Sequence, residues 1–162
     1  MSRAQVRSQL YSYLQNATTI PDLNQVFTSF PKQINFQVNA QAGQLSRAAA
    51  VIFIERETET RIALGGATSG KKRIDYDVVI QVFHHSMHNN AEDCMDDFDA
   101  TIDGLKDYLR ADHRFGDTSG VLIWQGAEPA IDVDYSEPST SERGATETWA
   151  VLRFQVTQIY TA

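Results

Sequence analysis

The fold turns on RIDYDVVIQVFHHSMHNNAEDCMDDFDATIDGLKDYL, residues 73–109. Its first part alternates, with Ile74, Tyr76, Val78, Ile80 and Val82 on one face, which is the period of a half-buried strand. Beyond Asn90 the period changes. Ala91, Met95, Phe98, Ile102, Leu105 and Leu109 recur at spacings of 4, 3, 4, 3 and 4, a single apolar stripe on a helix. Asn90 is placed to cap that helix, and Glu92 and Asp93 lie in its first turn, where the helix dipole favours anions. Gly104 should weaken it by about 1 kcal/mol relative to alanine.

The same patterns extend outward from this segment. AAVIFIERETETRIAL (49–64) is a β-branched, alternating strand, and the glycine-rich GGATSGKK (65–72) joins it to residues 73–83 as a long hairpin. VLIWQGAEPAIDVDY (121–135) and ATETWAVLRFQVTQIYT (145–161) read as two further strands, with SEPSTSERG (136–144) as a mobile loop between them. At the other end, Val6, Leu10, Tyr13 and Leu14 mark a short amphipathic helix over 3–16. Asp22 is a plausible N-cap for a second short helix, DLNQVFTSF, closed by Pro31, and 37–46 reads as a connector. The order helix, hairpin, helix, hairpin predicts one α+β domain over 1–162. It should have a mainly antiparallel sheet of about four long strands with helices packed on one face.

Composition narrows the function. With 162 residues, 42% hydrophobic and 22% charged, the chain has the make-up of a soluble globular domain, and no apolar run is long enough to cross a bilayer. The first residues lack the pattern of a secretory signal and read as mature sequence. Cys94 is the only cysteine, which excludes an intrachain disulfide and fits folding in a reducing cytoplasm. The net charge of −7 is uneven: residues 1–47 carry +3, 48–90 balance, 91–120 carry −6 and 121–162 carry −4. Duplex DNA recognition needs a basic stripe. The one dense cationic cluster is Lys71, Lys72 and Arg73.

His84, His85 and His88 raise the question of a metal centre. Zinc needs at least three converging ligands. A strand sends His84 and His85 to opposite faces, and no glutamate stands beside the first histidine to act as a general base, as in HExxH. The plainer expectation is that His84 completes the apolar face while His85 and His88 are solvated at the strand end, so no metal ligand is assigned. Asp93, Asp96, Asp97, Asp99, Asp103 and Asp107 read as a solvated helix face. The outward pairs Asp75/Asp77 and Asp132/Asp134 lack the spacing of a calcium loop. GxSxG, P-loop and GxGxxG signatures are missing, and Cys94, flanked by acids, reads as an inert thiol. No catalytic or cofactor-binding residue is assigned, and no cofactor is expected.

A different feature points to assembly. The outward face of the first long strand carries Glu55, Glu57 and Glu59, with Arg56 and Arg61 interleaved, on a hairpin long for a domain of this size. Long exposed strands are a liability unless something covers them, and copies of the same chain in a closed ring would do so.

The order of elements resembles the tail terminator proteins of long-tailed bacteriophages. The resemblance lies in the N-terminal helix, the central hairpin IFIERETETRIAL and KKRIDYDVVIQVFHH, the helix beginning AEDCMDDFDATIDGLKDYL, and the closing pair VLIWQGAEPAIDVDY and ETWAVLRFQVTQIYTA. It implies a structural virion protein, assembled in the host cytoplasm. Such a protein forms a homo-hexameric ring that caps the tail tube, ends its polymerisation and offers the head–tail joining surface. Its expected partners are further copies of itself, the tail tube protein, the head–tail connector or stopper, and genomic DNA passing unread through an acidic lumen. Lys71, Lys72 and Arg73 would then sit at a hairpin tip touching a neighbouring ring or subunit, with Glu55, Glu57 and Glu59 as further contacts. The alternatives are another neck component, such as a head-completion or connector adaptor protein; a small metal-dependent hydrolase using the three histidines; and an α+β ligand-binding module with a pocket lined by Trp124 and Trp149.

Overall fold

The computed structural model of the chain describes residues 2–36, 38, 40–62, 70–119, 121–124 and 131–161. The glycine-rich connection at 63–69 and residues 125–130 lie outside them, as does the side chain of Trp124.

Helix α1 (Arg3–Gln15) starts at a capping box: Ser2 accepts from the Gln5 amide and Gln5 reaches back to the Ser2 amide. Strand β1 (Leu23–Phe27) follows, then β2 (Ser46–Arg61), β3 (Lys71–Ser86), helix α2 (Ala91–Ala111), β4 (Leu122–Trp124), β5 (Asp132–Tyr135), β6 (Ser139–Thr140) and β7 (Thr146–Thr161). The strands form one sheet in the order β1–β2–β3–β7, and β4, β5 and β6 follow one another along the far edge of β7. The α+β class and the antiparallel β2–β3–β7 centre agree with expectation. The sheet as a whole is mixed, because β1 runs parallel to β2.

Two sequence expectations are corrected here. Residues 23–27 form an edge strand and not a short helix. Asp22 does not cap a helix; it takes a left-handed turn with φ +62 and its carbonyl accepts from the Ala48 amide, which starts the β1–β2 pairing. Apolar Leu23, Val26 and Phe27 suit a helix turn locally, but pairing with residues 48–51 decides the outcome. Residues 121–135 are not one strand. β4 and β5 both lie antiparallel to β7, with Trp124 opposite Val156 and Asp132 opposite Arg153. The segment between them therefore holds more residues than the stretch of β7 that it spans. The 136–144 connection contains β6, paired with the start of β7.

Both helices pack on the inner face of the sheet. Val6, Leu10 and Leu14 of α1 and Phe98, Ile102, Leu105 and Leu109 of α2 meet Ala48, Ala50, Ile52 and Ile54 of β2, together with the inward residues of β3 and β7. The α2 stripe is rotated from the one expected: Cys94 and Thr101 are buried, while Ala91 is exposed and Met95 half-buried. Gly104 sits where the helix touches the Ile20–Pro21 turn. A Cβ there would lie 2.8 Å from the Pro21 ring, so the glycine is a close-packing point. The two helices are clasped by Tyr13 and Tyr108, whose rings stack at 4.5 Å; each hydroxyl donates to the other residue's carbonyl, at 2.6 and 2.9 Å.

The outer face is covered at one end only. Residues 28–36, leaving β1, cross it, with Phe30 against Phe53 and Phe36 stacked on His85. Beneath this crossing segment Ala49, Val51 and Val79 are buried although they take no part in the inner core. Past Ile54 coverage is lost on β2, where every residue from Glu55 to Arg61 is exposed, while Tyr76 of β3 and Val156, Thr157 and Gln158 of β7 stay buried.

Candidate functional site

The strands β2, β3 and β7 continue as a three-stranded ribbon (residues 55–61, 71–77 and 155–161) beyond the helices, with β4 alongside β7 at 156–158. Its faces are set by a bulge. The pairing of β2 with β3 shifts between Ile54 and Arg56, so one extra residue enters β2. Glu55 lies on the outer side, 4.0 Å from Arg153. Glu57 and Glu59 fall opposite Tyr76 and Ile74, on the continuation of the inner face. The expectation that Glu55, Glu57 and Glu59 share one outward face is thereby corrected. Burial, and then the charges of Glu57 and Glu59, raise the Tyr76 phenol pKa, and its hydroxyl donates to Gln158 Oε1 at 2.9 Å.

The cationic cluster begins β3 directly, so these residues are paired strand residues at the distal end. Lys72 bridges Glu59 at 2.7 Å and Arg73 bridges Asp75 at 2.9 Å. Arg61 and Lys71 are exposed and have no ion-pair partner among the described residues. Around them the ribbon end presents Ile62 (53% exposed), Ile159 (42%) and Tyr160 (44%). The outward pairs are partly internalised: Asp75 accepts from Thr157 at 2.7 Å and Asp77 from Gln155 at 3.0 Å, while Arg153 holds Asp134 at 2.6 Å.

The histidines diverge. His84 is buried on the inner face against Phe98, its Nε2 3.7 Å from Asp22 and without a hydrogen bond. His85 points outward, stacked on Phe36, with Nδ1 3.6 Å from Glu147. His88 Nε2 lies 2.8 Å from Asp97 Oδ2 in the turn before α2. His85 and His88 are both half-covered, where the sequence places them in solvent; His88 is hydrogen-bonded, while the buried Nδ1 of His85 has no hydrogen bond among the described residues. No group of three or more His, Cys, Asp or Glu side chains converges as metal ligands among the described residues.

Asp97 is the unexpected member. It was read as part of a solvated face, yet its Oδ2 also accepts from Ser46 Oγ at 2.6 Å, and Ser46 Oγ lies 2.9 Å from Ser86 Oγ. A nucleophile–base pair would require the serine to reach the imidazole. Here serine and histidine share one carboxylate oxygen, an arrangement that ties β2, β3 and the start of α2 together. Cys94, buried beside it with Sγ 3.5 Å from the His88 carbonyl, packs into the same turn.

No protein-family model matches the chain, and no curated protein matches it either. Among the described residues no helix is long and apolar enough to cross a membrane.

Sequence reasoning missed Asp117. Its buried carboxylate accepts from the amides of Ser119, Val121 and Leu122 and from the Ser119 hydroxyl, at 2.6–3.0 Å. Burial pushes its pKa up, but these four bonds outweigh that and lower it. They set the start of β4, and so the edge of the ribbon, where Val121 accepts from the Ile159 amide. The signal was available in DTSG, an Asp two residues before a serine in a turn-rich stretch.

Trp149, which the ligand-binding alternative would place in a pocket with Trp124, borders a cleft of about 420 Å³ on the outer face. Its apolar walls are Pro31, Ile34, Phe36 and Phe83, with Glu137 and Glu147 among its polar ones.

Proposed function

We propose that this chain is a structural, ring-forming component of a phage tail of the tail-terminator type. Six copies would close on the end of the tail tube, stop its growth and offer the head-joining surface, with DNA passing through the lumen. One observation carries the reading: the β2–β3–β7 pairing runs on into a ribbon whose β2 residues are all exposed, with apolar residues at its end and, among the described residues, no strand paired to the outer edge of β2 beyond Val51. A monomer gains little from such an extension, because paired strands without a covered face contribute weakly to stability. An assembled protein uses it as contact surface. The charged β2 edge, with Glu55, Arg56, Glu57, Glu59 and Arg61, discourages indiscriminate strand addition and leaves room for a specific partner. Lys71, Lys72, Arg73 and the three glutamates belong to this surface, on both faces of the ribbon.

The test is to add purified protein to a polymerising preparation of a long-tailed phage tail tube protein. Tubes that stop growing and carry a six-fold ring at one end in negative stain are the expected result. Unchanged tube length with no terminal ring would reject the capping role. Binding to the purified connector ring in the absence of any tube effect would favour the other neck component.

A further inference from the structure

We infer that the distal end of the ribbon is a plug for the cleft beside Trp149 on a second copy of this chain, giving a head-to-tail contact. The inference deepens the ring reading and rests on it only for the closure of the chain of contacts into a ring.

Two exposed apolar patches occupy opposite ends of one strand. Trp149 (42% exposed) is near the start of β7 and Ile159 near its end, both on the outer side, while Tyr160, opposite Lys72, takes the inner side. Ten residues of strand separate Trp149 from Ile159, about 33 Å at the rise of an extended chain. Neither patch can cover the other within one molecule. Their shapes differ in the same sense: the ribbon end projects, and the Trp149 end is recessed between the crossing segment 31–36 and β7. Ile159 and Ile62 stand on the outer side of the ribbon end. The register shows this, because Ile159 pairs with Arg73 and the Ile62 amide bonds to the Lys71 carbonyl.

The charges are complementary. The outer side of the ribbon end carries Lys71 and Arg73 against Asp75, an excess of one cation, while Arg61, Lys72 and Glu59 take the inner side. The cleft and the groove that continues it are bordered by Glu137, Glu142 and Glu147 against Lys32 and Arg143, an excess of one carboxylate. Lys71 has no ion-pair partner among the described residues, and the Glu147 carboxylate lies 3.6 Å from His85. An apolar ribbon end with a net positive outer side thus faces an aromatic cleft with a net negative border. Plug and cleft are different surfaces of the same chain, so copies joined head to tail make a heterologous contact, the kind that closes into rings. A reciprocal two-fold dimer would fill both patches as well, and the mass of the wild-type assembly separates a dimer from a ring.

The experiment uses two full-length variants: Ile159→Asp, which spoils the plug, and Trp149→Asp, which spoils the cleft. Both positions are exposed, and thermal melts matching wild type show that each variant folds. Light scattering should find each variant monomeric, with self-association weakened by on the order of 30-fold or more, the usual size for removing an anchor. Mixed together they should form one-to-one dimers and nothing larger, because one intact plug and one intact cleft remain. The charge pair Lys71→Glu with Glu147→Lys gives a second route: each alone weakens association, and mixing the two restores it. Variants that keep the wild-type mass would overturn the inference, as would a mixture that stays monomeric. If those variants still cap tail tubes as rings, the docking is wrong and the ring reading stands. If mixed dimers form but wild type never caps a tube, the docking stands and the function is wrong.

Discussion

The two halves of the β2–β3–β7 sheet share strands and register but differ in nearly everything else. At one end, residues 46–54, 78–86 and 146–154 have helices on one face and the 28–36 crossing segment on part of the other. There the β2 side chains are almost all buried, whichever way they point. At the other end β2 is exposed from Glu55 to Arg61, tied across to β3 by Lys72–Glu59, and β3 to β7 by Thr157–Asp75, while Tyr76 and residues 156–158 stay buried. Backbone pairing is continuous through both. What changes is coverage. The difference teaches that strand length in this protein is not set by the core: the pairing outruns the packing, and the surplus is free for other work.

The comparison breaks if substitutions at the two ends cost the same. Phe98→Ala removes a fully buried ring at the covered end and should destabilise by about 3–5 kcal/mol in urea unfolding. Thr58→Ala, at an exposed ribbon position, should stay within about 0.5 kcal/mol. Equal losses would mean that the ribbon is part of the cooperative core.

Asp117 joins the two halves. Asp117→Asn keeps the shape but weakens four hydrogen bonds to a buried charge, with an expected loss of about 1–3 kcal/mol. Its carboxyl has a folded pKa below the unfolded one, so its contribution is present above the ordinary carboxylate pKa of about 3.9. That contribution is lost as pH falls through the lower folded value. The variant should therefore show a shallower acid limb of stability against pH than wild type. Hydrogen exchange should quicken at Ile159, whose amide bonds to Val121.

Gly104→Ala sharpens the account of the covered end. Helix propensity alone predicts a gain of about 1 kcal/mol. The 2.8 Å approach to Pro21 predicts a net loss, on the order of 1–2 kcal/mol, in thermal or urea unfolding. The Tyr13–Tyr108 clasp acts at the same end. Burial, first among its causes, raises the Tyr13 pKa to about 12, so the folded state prefers the neutral phenol. Its contribution is complete below the unfolded tyrosine pKa of about 10 and fades as pH rises from there towards 12. Tyr13→Phe should cost about 1 kcal/mol at neutral pH and flatten that alkaline decline. A small effect is again expected on the ribbon: Lys72→Ala breaks a largely exposed pair with Glu59 and should change monomer stability by less than about 1 kcal/mol in urea unfolding.

Much of this was legible because the periods were long. Ile74 to Val82 and Phe98 to Leu109 keep one period over many residues, and both became the elements they implied. Three features were not legible, each for a physical reason. β1 is five residues whose partner lies more than twenty positions away, so no local pattern specifies it. The bulge at Glu55 falls where both faces are already polar, and a one-residue insertion leaves no mark on the ERETE alternation. Asp97 is one aspartate among six on its helix, and only the fold brings Ser46 and His88 to it. Trp149 borders a cleft whose other wall, Pro31 to Phe36, lies between the expected helix end at Pro31 and the connector at 37–46, a stretch whose sequence carries no periodic pattern.

The most direct test of the division between a folded end and a contact end is amide hydrogen exchange, followed at low and at high protein concentration. Amides of the ribbon at 55–61 and 155–161 should gain protection as the protein associates, while those of 48–52 and 78–84 keep the slow exchange they already have. Ribbon amides that exchange at the same rate in both conditions, or association that protects the covered end instead, would contradict it.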